Sequence, residues 1–253
     1  MSARLDQELT SRGLARSRTV AARWIAEGRV AVNGTVARKP SARVGPGDGL
    51  EVRPAEVPDY VSRAGHKLAG ALAAFPEVVV AGRRCLDAGA STGGFTDVLL
   101  RAGAREVLAV DVGHDQLDPV LRADPRVRVH EGLNVRGLRP EDVGGPAELT
   151  VCDLSFISLT LVVGPLAAAT VPGGDLLLMV KPQFEVGADR LARTGVVTSE
   201  AERARAVEAV ASAARAHGLE VLGRRRSPLP GQDGNHEFFL WCRRPGATAA
   251  RTC

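Results

Sequence analysis

The chain predicts an α/β fold: a doubly wound, mostly parallel sheet that closes on an antiparallel element, preceded by a small α+β module. Three observations carry this expectation. From residue 84 onward, short apolar strand patterns alternate with helical ones, the signature of βαβ units. The first 50 residues read differently, as two short helices and a hairpin. Between them, residues 53–62 (RPAEVPDYVS) carry two prolines and few apolar anchors, the composition of a linker. The expected organisation is therefore a module over 1–52, a linker over 53–62, a larger α/β module over 63–245 and a tail over 246–253.

In the small module, Leu5 and Leu9 stand at helical spacing in segment 4–13, with Gly13 as a stop. Ser17 is placed to cap a second helix over 18–27, which groups Val20, Ala21, Trp24 and Ile25 on one face and ends before Gly28. Two strands follow at RVAVNG and GLEVRP, and Asn33-Gly34 supplies a tight hairpin turn after the first. In the larger module, Lys67 is expected just before the first helix. RRCLDAG then reads as a strand and turn leading into a helix through DVLLRAG. Further strands are expected at REVLAVDVG, RVRVHEG, ELTVCDLSF, DLLLMVKPQF, LEVLGRRRSP and HEFFLWCRR, with helices near 115–122, 158–169 and 199–217.

Composition narrows the classes of function. With 253 residues, 45% of them apolar and 25% charged, the chain has the balance of a soluble globular protein. It has no apolar run long enough to span a bilayer. The start, MSARLDQELT, lacks the apolar stretch of a secretory signal, so a cytoplasmic location is expected. The four cysteines, Cys85, Cys152, Cys242 and Cys253, form no CxxC pair, and neither a metal site nor a disulfide framework is expected. Cys85 and Cys152 fall inside strand patterns and read as core. Of 33 basic residues only Lys39, Lys67 and Lys181 are lysine. The arginine excess matches the usage bias of a GC-rich genome. Against that background each lysine draws attention, because a buried lysine can give up its proton and an arginine cannot.

Chemistry concentrates in three motifs. Residues 85–95 (CLDAGASTGGF) end a strand at Asp87 and then turn through Gly89, Gly93 and Gly94 before a helix. Asp111 ends the next strand, where a carboxylate accepts hydrogen bonds from ribose hydroxyls, with Val112 beside it. An acid at Asp87, ahead of the glycines, suits S-adenosylmethionine better than a dinucleotide. Ser91 stands where many such enzymes carry glycine. The second motif, VCDLSF, places Asp153 at a strand's carboxyl end; the third, MVKPQF, does the same for Lys181. The plainer readings are a helix cap for Asp153 and a snorkelling surface lysine for Lys181.

Two resemblances extend this reading. RLDQELTSRGLARSRTVAARWIAEGRVAVNG, with KP at 39–40 and PGD at 46–48, resembles the α-L RNA-binding domain, which implies that its helices present arginines to structured RNA. Arg4, Arg16, Arg18 and Lys39 are the candidates there, and Arg63 joins them beyond the linker. Phosphate backbones favour arginine at helix starts in any case. Over about 240 residues, the motifs YVSRAGHKL, LDAGASTGGFTD, VDVGHDQL, CDLSFISL, LLLMVKPQFEVG and NHEFFLW resemble the TlyA family of rRNA (cytidine-2'-O) methyltransferases, historically also labelled haemolysins. That resemblance implies a class I methyltransferase, Rossmann-like fold with S-adenosyl-L-methionine as cofactor and ribosomal subunits as partners. It also implies a Lys-Asp-Lys-Glu catalytic set at Lys67, Asp153, Lys181 and Glu237. Asp87, Gly89, Ser91, Gly93, Gly94, Phe95, Asp111, Val112 and Asp153 become the expected cofactor contacts. No metal or membrane is called for, and a monomer is expected. The competing classes are an RNA-binding protein with an inert methyltransferase domain, a membrane-lytic protein and, remotely, an NAD-dependent oxidoreductase.

Overall fold

The computed structural model describes residues 2–54, 58–187 and 194–246, and the chain divides into two compact units, Met1–Asp59 and Tyr60–Cys253. Cys253, most of the expected tail and residues 55–57 of the expected linker lie outside the described residues.

The first unit runs β1 (Ala3–Arg4), α1 (Leu5–Ser11), α2 (Arg18–Ala26), β2 (Val30–Val32), β3 (Thr35–Val36), β4 (Arg43–Val44) and β5 (Leu50–Val52). Helix α2 begins where a capping serine predicts it: the Val20 amide donates to the Ser17 hydroxyl. Leu5, Leu9, Ala21, Ile25, Val30 and Val44 are fully or almost fully buried and form the unit's core. Trp24 is only half-buried, with the Arg29 guanidinium 4.9 Å from its ring centre. Asn33 and Gly34, with φ of 49° and 78°, are both left-handed, as a type I′ hairpin requires. Strand β2 pairs antiparallel with β3 and β5. The two-residue pairing of β1 with β4 is too short to leave a periodic trace in sequence.

The second unit contains α3 (Ala64–Ala74), β6 (Arg84–Ala88), α4 (Gly94–Arg101), β7 (Glu106–Val110), α5 (Pro119–Arg122), β8 (Val127–His130), β9 (Ala147–Cys152), α6 (Val163–Ala168), β10 (Thr170–Val180), α7 (Pro182–Glu185), α8 (Glu200–Ala216), β11 (Glu220–Arg226) and β12 (Phe238–Arg243). Its seven-stranded sheet has the order β11-β12-β10-β9-β6-β7-β8. All pairings from β10 to β8 are parallel, and β12 runs antiparallel to both β10 and β11. One apolar cluster covers each face: Leu86, Leu108, Leu176 and Leu178 on one, and Cys85, Val107, Leu149 and Leu177 on the other. Strand β6 pairs with β7 on one side and β9 on the other, so the winding reverses there. Open α/β sheets bind ligands outside the strand ends at such a reversal.

Several elements depart from the sequence pattern for local reasons. Residues 60–62 are not linker-like: Val61 donates its amide to Asp97, and the Tyr60 ring meets His66 edge-on at 5.0 Å. Helix α3 starts at Ala64, so Lys67 lies inside its first turn rather than ahead of it. Helix α5 begins only at Pro119, because Asp111 and the left-handed Asp115 shape residues 111–118 as a turn. The expected helix over 158–169 splits into a 3-10 turn, Leu159–Leu161, and α6, whose first turn holds Gly164-Pro165.

Candidate active site

The turn after β6 is built by glycines that no other residue could replace without movement. A Cβ on Gly89 (φ +89°) would come within 2.5 Å of the Asp153 carbonyl oxygen. One on Gly93 (φ +95°) would meet Leu121 at 2.3 Å, and one on Gly94 would meet the Ser62 hydroxyl at 2.3 Å. The turn therefore brings β6 hard against the loop that follows β9. Ser91 adopts φ of 47°, the conformation glycine takes freely, and its amide donates to Asp111 Oδ2 at 2.8 Å. Gly113 donates to Asp111 Oδ1 at 2.7 Å. Both carboxylate oxygens are thus held by backbone while the side chain stays part-exposed in the cavity wall.

Two adjoining cavities share Gly89, Ser91, Asp153, Ser155 and Phe156. The first, of about 510 Å³, is walled by Asp111, the exposed Val112, Leu133, Val135 and Ile157. Its wall thus combines apolar side chains with the Asp111 carboxylate. Gly89 and Asp153, pressed together, lie where the two cavities join. That second cavity, of about 810 Å³, is lined by Lys67, Asp153, Lys181 and Glu237 together, with Gly94 and Phe95. Phe95 is nearly buried, its ring stacked on Phe239 at 6.1 Å.

The four charged residues form two ion pairs. Lys67 Nζ stands 2.5 Å from Glu237 Oε2, across 170 residues of sequence, with the Met179 sulfur at 3.9 Å. Lys181 Nζ stands 2.6 Å from Asp153 and donates to the Ser155 hydroxyl at 2.9 Å. Lys67, Lys181 and Glu237 are each less than a tenth exposed, so these are costly charges retained only in pairs. The plainer readings fail here: Lys181 is no snorkelling lysine, and the helical turn after Asp153 is capped by Ser158 instead.

Asp87 and Gly93 line neither cavity. Asp87 is wholly buried beneath the turn, where Thr96 Oγ1 donates to its Oδ2 at 2.7 Å and its Oδ1 has no partner. Burial pushes its pKa up to about 7; the Thr96 hydrogen bond opposes that shift, and Asp153 and Asp111 add to it. Asp87 therefore supports the turn from below. Strand alternation explains this, since Asp87 shares the face of Cys85, away from Leu86 and Ala88.

The RNA-contact candidates fall in both units. Arg4 makes a two-pronged pair with Asp6 at 3.0 Å, and Arg18 reaches the same carboxylate at 3.3 Å. Arg4, and behind it Arg18, hold the Asp6 carboxyl below its ordinary range. Both arginines keep exposed faces, Arg16 is half-buried and Lys39 is exposed. Arg63 lies in the second unit, on the rim of the larger cavity, with Nη2 donating to the Pro230 carbonyl.

Two residues of the site, and one that braces the loops behind it, were not singled out by sequence reasoning. Ser155 holds Lys181, and the signal was its place in VCDLSF. Phe156 is 92% exposed with φ of 64°, its ring 5.3 Å from that of Phe184 at the mouth shared by both cavities. Glu185 ties the loops after β9 and β10 together by accepting from Ser158 Oγ and the Leu159 amide. Burial holds the Glu185 carboxyl above its ordinary range, against those two hydrogen bonds. Among the described residues, no group of three or more His, Cys, Asp or Glu could hold a metal ion.

Comparison with known proteins covers both units. Residues 60–244 match the FtsJ-like methyltransferases and residues 3–50 match the S4 domain. The chain is 52% identical to the 16S/23S rRNA (cytidine-2'-O)-methyltransferase TlyA of Mycobacterium tuberculosis, over 95% of this chain and 90% of that one. It is 35% identical to Hemolysin A of Brachyspira hyodysenteriae, over 93% of this chain and 98% of that protein. A solved structure from Streptococcus thermophilus, described as a hemolysin, superposes with a TM-score of 0.73 at 38% identity, covering 96% of this chain and 89% of that one. With an S4 domain ahead of a doubly wound sheet that gathers two lysines, an aspartate and a glutamate at its reversal, the chain belongs to the FtsJ-like methyltransferases and, among them, to the TlyA family.

Proposed function

We propose that the protein methylates the ribose 2'-hydroxyl of cytidines in the RNA of the small and large ribosomal subunits. The observation that carries this reading is the pair of buried ion pairs, Lys67–Glu237 and Lys181–Asp153, lining one cavity beside the glycine turn. S-adenosylmethionine supplies an electrophilic methyl group on its sulfonium. Asp111 would hold the ribose of that cofactor, Val112 and Leu133 would flank its base, and Gly89 and Gly94 would let the backbone approach its amino-acid end.

The chain's own task is to place the acceptor oxygen and to take its proton. Lys181 Nζ stands 2.6 Å from Asp153 and donates to the Ser155 hydroxyl, which fixes its nitrogen at the cavity wall. Once its own proton has passed to solvent, Lys181 accepts the proton of the 2'-hydroxyl as the oxygen–methyl bond forms and the sulfonium sulfur–methyl bond breaks, a role worth about 10²–10⁴ in rate. Asp153 steadies the ammonium that results. Lys67, fixed by Glu237, adds positive charge where the oxygen carries its greatest negative charge. Phe156 offers an open ring to an unstacked base. The first unit grips folded RNA through Arg4, Arg16, Arg18 and Lys39. The enzyme works in the cytoplasm, on ribosomal subunits, as a monomer.

The test is tritiated methyl transfer from S-adenosylmethionine to purified small and large subunits, with wild type beside Lys181→Ala. Label recovered in alkali-resistant dinucleotides with the wild type, and a loss of at least 100-fold in the variant at unchanged cofactor affinity, is the expected result. Label on a base, or a fully active variant, would overturn the assignment.

A further inference from the structure

Ion pairing sorts the arginines that composition leaves indistinguishable. Many exposed arginines of the second unit sit on a carboxylate: Arg126 on Asp124, Arg139 on Asp142, Arg205 on Glu202 and Arg215 on Glu208. Strand β11 ends in three that do not. Arg224, Arg225 and Arg226 are all exposed, and among the described residues none has a carboxylate within ion-pairing distance. Alternation separates them. Arg224 and Arg226 share one face, about 7 Å apart along the strand, while Arg225 turns to the other face with its guanidinium 5.8 Å from the Phe75 ring centre.

The face shared by Arg224 and Arg226 borders the site, with Glu208 in electrostatic range of Arg224 and Glu200 of His236. Arg226 Nη2 donates to His236 Nε2 at 2.8 Å, which leaves the Nδ1–H of a neutral ring free to donate. Burial, and then Arg203 and Arg226, hold His236 below the ordinary imidazole range, with Glu200 opposing. Ser227 donates its amide to the Glu237 carbonyl, and Arg226 lies across from Phe238, the residue after Glu237. The arginine run therefore starts one strand away from the Lys67–Glu237 pair.

Strand β11 ends the sheet, and charges on an edge strand also discourage stray pairing. Edge protection asks for charge of either sign anywhere along the strand. Here Glu220 begins the strand, Val221, Leu222 and Gly223 follow, and all the arginines gather at the end nearest the site.

We propose that Arg224, Arg226 and His236 form a phosphate-binding track on the methyltransferase unit, gripping the RNA backbone beside the target nucleotide. The proposal rests on the RNA-methylating reading above. Two guanidiniums at this spacing suit successive phosphates of one strand, and the His236 N–H adds a third donor at the end closest to the cavity.

The test measures binding of the full chain to purified ribosomal subunits between 50 and 200 mM salt. It compares wild type with the double variants Arg224→Gln/Arg226→Gln, Arg224→Glu/Arg226→Glu and Arg224→Lys/Arg226→Lys, and with Arg225→Gln. Loss of two phosphate contacts should lower the slope of log K against log salt by about 1.5–2 and weaken low-salt affinity about tenfold. The Glu pair should be weaker still, the Lys pair should recover most of the loss, and Arg225→Gln should stay within about twofold. Cofactor affinity, read separately, should be unchanged in all four and so excludes misfolding. Equal slopes in wild type and the Gln pair would overturn the track, as would an Arg225→Gln defect as large as that of the pair. A wild type that binds subunits but transfers no methyl group sinks the catalytic assignment and leaves the salt comparison readable. One that binds no subunit overturns both.

Discussion

Asp87 shows how much one buried carboxyl can govern. The folded protein keeps its proton up to about pH 7, whereas an unfolded aspartate releases it near pH 4. Between those values the folded state binds more protons, so this group makes stability fall as pH rises from about 4 to 7, and its effect is constant above. The full effect is on the order of 4 kcal/mol. Asp87→Asn, which can still accept from Thr96, should remove that fall. Its melting temperature should gain on the wild type as pH rises from 5 to 8, measured by thermal unfolding in matched buffers. Parallel curves would mean that the carboxyl is ionised throughout. The sequence located Asp87 at the strand end but could not say how its side chain would lie; alternation from Cys85 resolves that only when the sheet faces are known. Lys67 and Glu237, 170 positions apart, illustrate the opposite limit. Neither composition nor periodicity joins them, and only the family resemblance did.

The elements were legible where period and capping agree. Helix α2 follows a capping serine and an apolar face, and the strands from β6 to β12 follow apolar runs bounded by turns. Legibility failed where a tertiary hydrogen bond sets the boundary, as with the Asp111 turn that delays α5 and the Val61–Asp97 bond that draws residues 60–62 into the larger unit. At this scale the glycine turn is the element most open to test. Gly89→Ala forces a left-handed alanine and pushes a methyl group toward the Asp153 carbonyl, whereas Gly82 (φ +75°) has nothing within 4 Å of its missing Cβ. Gly82→Ala should cost about 1–2 kcal/mol, the conformational strain alone. Gly89→Ala should cost more and reduce cofactor affinity at least tenfold, read by denaturant melts and calorimetry. Equal behaviour of the two would show that the close approach to Asp153 is not what fixes the turn.

For the whole molecule, the doubly wound sheet with its antiparallel strand was predictable because alternation is a property of long stretches, which local errors do not erase. The two units carry separate cores, Leu5, Leu9 and Ile25 in one and the flanks of the seven-stranded sheet in the other. Residues 60–253 produced alone should therefore fold and bind S-adenosylmethionine within about twofold of the full chain. Their KM for ribosomal subunits should rise at least tenfold, since the S4 unit and its arginines are gone. An unchanged KM would assign RNA capture to the methyltransferase unit alone. The scarcity of lysine has one more consequence. Lys67 and Lys181 lie buried against Glu237 and Asp153 while Lys39 is exposed. Feeding ¹⁵N-lysine would thus place three side-chain nitrogen resonances in a spectrum otherwise silent in that region, one of them a solvent-exchanging reference. The proton carried by the residue assigned to take it from the ribose could be counted directly, resonance by resonance, without a mutation that empties the site.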